Sequence, residues 1–444
     1  MSKTFPRGGV HPPENKISAD AVIEQLQLAE QVIIPIAQHI GAPASPVVNK
    51  GDAVKAGQII ATSQGFVSAN IHSSVSGKVN KVDKVLDSTG YKQTCIVIDV
   101  EGDEWVENVD LSPEIKKEFD FSGEEIIKKC SDMGIVGMGG ATFPSHVKLS
   151  LPPGKKCNVL IINGVECEPY LTSDHRLMLE RGEEILIGTT ILMKALGVDR
   201  AMVGIENNKP DAISHMTLLA SEFKGIEVHG LKVKYPQGCE KQLIKALINR
   251  EVPSGGLPMD VGTVVHNVGT AFAVYEAVQK NKPLIERVVT ITGKDIPRPV
   301  NLKVRIGTPL TKLVEAAGGL PEQTGKIVNG GPMMGKAVGS LDIPVTKGIS
   351  GLVLINEAEA KRNVTGPCIR CAKCISACPM GLEPYLLMTL TEKGFKEKAE
   401  SERIMDCMEC GSCSYICPAN RPLLDYIRLG KWFTGKIIRE RMHK

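Results

Sequence analysis

The chain has 444 residues, 53 of them basic and 50 acidic, for a formal charge of +3, with 42% apolar and 23% charged residues. At roughly 150 residues per domain this length excludes a single core, and the balanced charge argues against disorder and against nucleic acid as a partner. The first 16 residues are polar and include Pro12 and Pro13, and the longest apolar run, 185–198, is broken by Thr189, Thr190 and Lys194. A span needs about 20 apolar residues, so neither an export leader nor a membrane-crossing helix is expected.

The first predicted unit is 1–115. Short alternating runs meet glycines at Val48, Gly51, Asp52, Val54, Gly57 and Ile60, and again from Ile71 and His72 through Val75, Ser76, Gly77, Lys78 and Val79. Glycines after such runs fit tight turns between short strands. The pattern resembles half of a lipoyl or biotinyl barrel with hammerhead turns. No lysine lies between Thr62 and Ser74 to carry the prosthetic group, so a structural or docking barrel is expected, with His72 an ordinary packed or surface histidine.

From 116 to 283, amphipathic helices alternate with short apolar runs at 159–162, 201–205 and 231–235, which predicts a parallel α/β sheet with strands buried on both faces. Ser122 caps a predicted helix over 123–132, and a glycine-rich loop follows with Gly134, Gly137, Gly139, Gly140, Ala141, Phe143, Pro144 and Lys148. It has neither Walker spacing nor the directly preceding strand of a dinucleotide fingerprint. Asn163, Glu166, Cys167, Glu168 and Pro169 follow the strand at 159–162, at the carboxyl end where ligands bind in open α/β sheets. A third unit, 284–356, offers strands at 288–292 and 302–305, a helix at 310–317, and the run Gly330, Gly331, Pro332, Met333, Met334, Gly335, read as a turn or as a cofactor or partner surface.

The last unit, 357–444, holds eight of the 13 cysteines. Cys368, Cys371, Cys374 and Cys378 precede Pro379; Cys407, Cys410, Cys413 and Cys417 precede Pro418; the second set repeats the first at a constant offset of 39 residues. In C-x-x-C-x-x-C-x-x-x-C-P, three closely spaced thiolates wrap one cubane while the fourth reaches the other. The expected ligand sets for two [4Fe-4S] clusters are therefore Cys368, Cys371, Cys374 and Cys417, and Cys407, Cys410, Cys413 and Cys378. Two structural zinc sites would need only four ligands each and no Cys-Pro ending. A helix over 383–398 is expected between the groups. The end of the chain, 426–444, is basic and amphipathic, suited to an anionic membrane surface or a partner subunit, or else simply solvated.

The middle unit resembles the NADH-oxidising flavoprotein subunit of respiratory complex I. Gly137, Gly139, Gly140, Ala141, Phe143, Pro144 and Lys148 fall on that family's flavin loop; Asn163, Glu166, Glu168 and Pro169 match its next segment; Gly238 and Glu240 match a third; Asn267, Val268 and Thr270 match a fourth. The resemblance implies FMN contacts from Gly137, Gly139, Gly140, Ala141, Lys148, Asn163, Glu166, Asn267 and Thr270, and places Phe143, Glu168 and Glu240 toward NADH. Lys148 suits a phosphate, and carboxylates suit ribose and nicotinamide donors. Met138, Thr142, His146, Val165 and Cys239 depart from the family pattern.

In module order, from the amino-terminal Phe5, Pro6, Arg7, Gly8, Gly9, Val10, His11, Pro12, Pro13 and Glu14 through barrel, Rossmann-like flavin domain, β-grasp domain of the soluble-ligand-binding type and two-cluster ferredoxin-type domain, the whole chain resembles the C subunits of Rnf ion-translocating electron transport complexes. That implies reversible electron exchange between NADH, FMN and two clusters, membrane-embedded and peripheral partner subunits, ferredoxin reached through the complex, and a peripheral place on the cytoplasmic side of the cell membrane. A soluble diaphorase serving a hydrogenase or formate dehydrogenase, and a flavin-free iron-sulfur relay, are the competing readings.

Overall fold

A computed structural model describes residues 2–87 and 90–442. Strands Gln31–Pro35, Lys92–Gly102, Ser76–Leu86 and Ala53–Val54 form one antiparallel sheet, and Ser45–Pro46, Ile59–Thr62 and Ile71–His72 form a second. Val32, Ile34, Ile60, Ile71, Val79, Ile96 and Ile98 alternate inward and fill the space between them. Gly51 and Gly57 take φ of 94° and 85° at the turns, a region costly to other residues. His72 is packed, and burial depresses its imidazole to about 3.

The central sheet is wholly parallel, in the order Ile226–Leu231, Ala201–Glu206, Val159–Asn163, Thr263–Asn267. All six residues of Ala201–Glu206 are buried, because helices cover both faces. The third strand is Ile226–Leu231, where the apolar run pointed to 231–235. Gly225, with φ of 81°, turns the chain into the sheet early, and Lys232 and Tyr235 leave it to bond Lys3 and Val10 instead. Ser122 caps helix Gly123–Asp132 in a reciprocal box with Glu125. Helix Gly182–Leu196 crosses Val268–Gln279 at Gly188, where a Cβ would lie 1.9 Å from the Ala271 carbonyl oxygen.

The β-grasp sheet runs Ile23–Gln25, Val300–Arg305, Glu286–Thr292, Gly351–Asn356, Thr324–Asn329, Lys336–Ala337, with helix Leu310–Ala316 on its core. Its first strand comes from the amino-terminal segment and pairs in parallel with Val300–Arg305, so residues 2–26 lie outside the barrel sheets. The same segment bonds Tyr235 through Val10 and the cysteine region through Gly9, whose N–H donates to the Ala377 oxygen.

The expected helix over 383–398 is two helices, Pro384–Glu392 and Lys396–Ser401, broken where Gly394 adopts φ of 75°. Helix Leu423–Met442 packs on both and holds the described part of the basic end; Lys444 lies outside the described residues. No helix among the described residues is long and apolar enough to cross a membrane.

Candidate functional site

The two cysteine groups share a backbone device. Arg370 and Ala372 of the first group have φ of 55° and 59°, and the equivalent Glu409 and Gly411 of the second have 61° and 78°. Left-handed residues on either side of the middle cysteine give both loops the same tight coil. Cys378, from the first group, lines a small cavity together with Cys407, Cys410 and Cys413; Leu382, Leu387, Leu424 and Ile427 complete an apolar wall. Burial pushes the Cys407 thiol up to about 11 and raises Cys410 and Cys413, with Cys378 adding to each. Burial likewise raises Cys374, and the neighbouring Cys417 adds to it. A site that opposes bare thiolates suits a cationic cluster core that neutralises them, and four thiols around one apolar cavity match the donor set of a cubane.

The flavin-type crevice lies where the sheet changes direction. Asn163 and Asn267 are in register at the carboxyl ends of adjacent strands whose connections run opposite ways. The glycine loop folds over them: the Gly137 N–H donates to the Phe143 oxygen at 2.8 Å, and the Met138 N–H donates to Thr270 Oγ1 at 2.9 Å. Gly139 sits so close that a Cβ would lie 3.2 Å from that of Asn267, while Gly140, at φ of 134°, faces open space beside exposed Ala141. Asn163 donates to the Gly238 oxygen at 2.8 Å, and Asn267 donates to Asp174 at 2.6 Å while accepting from the Gly269 N–H at 2.8 Å.

Lys148 pairs with Glu240 at 2.7 Å and donates to the Val265 oxygen at 3.0 Å, joining a residue expected at FMN to one expected at NADH. Two neighbouring buried polar atoms, Ser145 Oγ and His266 Nε2, have no hydrogen-bond partner. Unpaired buried polar atoms, a partly exposed amine and a glycine-rich loop make a fitting cradle for a phosphate-bearing flavin.

Two expected contacts sit differently. Glu166, at φ of 46°, accepts from Ser173 Oγ and from the N–H groups of Asp174 and His175, so its carboxylate closes the start of helix Ser173–Glu180. Glu168 reaches into the loop 330–335 of the β-grasp domain, accepting from the Met333 N–H at 3.0 Å and the Met334 N–H at 2.7 Å. Gly331 must lack a side chain there, since a Cβ would fall 2.2 Å from Glu168 Oε2. Desolvation under this loop pushes the Glu168 carboxyl up to about 7, against the two N–H donors.

Sequence reasoning missed several groups. Asp174 is raised to about 7, first by burial and then by the charge of Glu166; Asn267 and buried Arg287 oppose the shift. Lys16 donates to the Glu166, Glu168 and Leu171 oxygens and is lowered to about 8 by burial. The Tyr235 hydroxyl donates to the Cys410 oxygen at 2.8 Å and lies 3.5 Å from Glu168, so one side chain spans crevice and cysteine cavity. Each depends on partners far away in the chain, and no local pattern marks it. The glycines at 330–335 were the one available signal.

Four family descriptions match in chain order: the RnfC barrel sandwich hybrid domain at residues 3–103, the Nuo51 FMN-binding domain at 130–276, the SLBB domain at 288–337 and a 4Fe-4S dicluster domain at 360–418. The chain is 50% identical to the C subunit of the proton-translocating ferredoxin:NAD(+) oxidoreductase complex of Clostridium ljungdahlii, covering 96% of this chain and 93% of the relative. It is 44% identical to the C subunit of the Na(+)-translocating ferredoxin:NAD(+) oxidoreductase complex of Acetobacterium woodii, covering 96% of each. Among solved structures, a chain of an NAD+-reducing [NiFe]-hydrogenase in the H2-reduced state superposes with a TM-score of 0.50 at 19% identity, over 70% of this chain and 62% of the other, a likeness of fold. Matched along nearly its whole length by relatives of that name, the chain belongs to the RnfC family, the C subunits of ion-translocating ferredoxin:NAD(+) oxidoreductase complexes.

Proposed function

We propose that this chain is the nicotinamide-exchanging subunit of an Rnf-type complex, passing electrons between NADH, FMN and two [4Fe-4S] clusters on the cytoplasmic side of the membrane, among membrane-embedded partner subunits. The observation that carries this reading is the unbroken contact from crevice to cysteine cavity: Glu168 under loop 330–335, and Tyr235 between Glu168 and the Cys410 carbonyl.

Bound FMN would supply the exchange between a two-electron and a one-electron carrier. Gly137, Gly139, Gly140 and Ala141 present bare backbone to the flavin, Thr270 fixes the loop through the Met138 N–H, and Asn163 and Asn267 offer amides from the sheet edge. Lys148 would leave Glu240 for the phosphate, which frees that carboxylate for NADH beside Phe143. Glu166 acts indirectly, holding the helix that carries Asp174, and Glu168 holds the β-grasp loop 330–335 in register with the crevice. Cys368, Cys371, Cys374 and Cys417 would hold one cluster, and Cys407, Cys410, Cys413 and Cys378 the other.

Anaerobic purification with iron, sulfide and FMN quantitation, followed by NADH titration, tests the reading. The expected result is about eight iron atoms and one FMN per chain, with flavin and cluster absorbance bleached by NADH. Protein with full FMN that stays unchanged by NADH would contradict it.

A further inference from the structure

The duplicated cysteine loops are equivalent in backbone and opposite in surroundings, and this rests an electron route on the function proposed above. The second group faces inward: Cys410 and Cys413 are buried, the Cys410 carbonyl is held by Tyr235, and a Cβ on Gly411 would meet the Met333 oxygen at 2.8 Å. The first group faces out, with Cys368 and Cys371 exposed, Ile369 between them at 65% exposure and the nearby Tyr385 at 40%.

Charge divides the same way. Between residues 361 and 382 there are four basic side chains, Lys361, Arg362, Arg370 and Lys373, and no acidic one. Arg362 is paired with Asp425, whereas Arg370 and Lys373 are exposed and have no ion-pair partner among the described residues. Their counterparts 39 residues later are Glu409, tied to Arg428 at 3.1 Å and Lys431 at 2.7 Å, and buried Ser412. One copy spends its charges internally, and the other presents them to solvent around its thiols.

We infer that the cluster held by Cys407, Cys410, Cys413 and Cys378 is the one next to the flavin, and that the face formed by Ile369, Arg370 and Lys373 over the other cluster is the docking surface for a redox partner protein whose own centre is rimmed by carboxylates. Transient electron-transfer contacts are small, and unpaired charge around an apolar centre steers and orients them. Exposed Arg370 and Lys373, close in sequence to exposed Ile369, supply such a combination of unpaired charge and apolar surface.

The test uses the full chain loaded with FMN and both clusters, and membrane vesicles carrying the remaining subunits of the complex but stripped of this one. The concentration of chain that half-saturates the vesicles is measured at low and high salt. R370E/K373E should raise it at least about tenfold and flatten its salt dependence, R370Q/K373Q should give a smaller shift in the same direction, and K393E/K398E, on exposed lysines elsewhere in the domain, should leave it unchanged. All variants should keep the wild-type bleaching by NADH, so that loss of bleaching in the wild type counts against the proposed function alone. Wild-type half-saturation by R370E/K373E, an equal loss in both charge-reversed pairs, or equal binding of wild type to protein-free vesicles of the same lipids would overturn the assignment.

Discussion

Glu168 predicts a stability that depends on pH with a definite sign. Its carboxyl titrates near 7 in the folded chain against an ordinary value of 4.5. Between those values the native state keeps the proton and the unfolded state releases it, so stability falls as pH rises through that window and the decrement is complete above about 7. A shift of about 2.5 units at 1.36 kcal/mol per unit corresponds to roughly 3 kcal/mol. E168Q cannot ionise and lacks this decrement. Near pH 5 the variant should match the wild type to within about 1 kcal/mol, since an amide oxygen accepts from one of the two loop N–H groups and its NH2 faces the other. Near pH 8 it should be the more stable form by about 2–3 kcal/mol. Because a chain of several domains need not unfold in one step, the assay is amide hydrogen exchange over residues 328–337, taken as the difference between variant and wild type at each pH. A difference that stays flat from about pH 5 to 8, or a variant less protected at the upper end, refutes the reasoning.

Other substitutions have separate readouts. If the fourth cysteines cross over, C378S should erase the same cluster signal as C410S, and C417S the same signal as C371S, each leaving about four irons per chain by metal analysis and electron paramagnetic resonance. G139V puts a branched side chain where even a Cβ lies 3.2 Å from Asn267, so FMN released on denaturation should fall below about a tenth of wild type; full FMN content would remove the loop from the site. G188A drives a methyl to 1.9 Å from the Ala271 oxygen and should destabilise the central domain by about 3 kcal/mol or more in chemical denaturation, without changing cluster content.

What can be read from the sequence is whatever is written locally. The cysteine duplication, the Ser122 cap and the alternation of the barrel strands are short-range signals, and each emerges as a short-range structure. The third central strand lies upstream of the apolar run because Lys232 to Tyr235, though β-prone, bond the amino-terminal segment more than 220 residues away. The helix expected over 383–398 breaks at Gly394, whose left-handed turn outweighs the continuity of the amphipathic pattern. Glu168 stands in a family motif, yet its partners Met333 and Met334 lie 165 and 166 residues downstream and are backbone amides, which have no sequence signature. Asp174 and Arg287 likewise meet only after the sheet has formed.

The segment carrying Lys3, Gly9, Val10 and the strand Ile23–Gln25 leaves the ribosome well before its partners at Tyr235, Val300–Arg305 and Ala377. During synthesis it must wait unpaired while hundreds of later residues emerge, a closure of high contact order. The strap therefore cannot fasten across the domains until the cysteine module that supplies the Ala377 carbonyl has emerged, which makes its closure one of the late steps of folding.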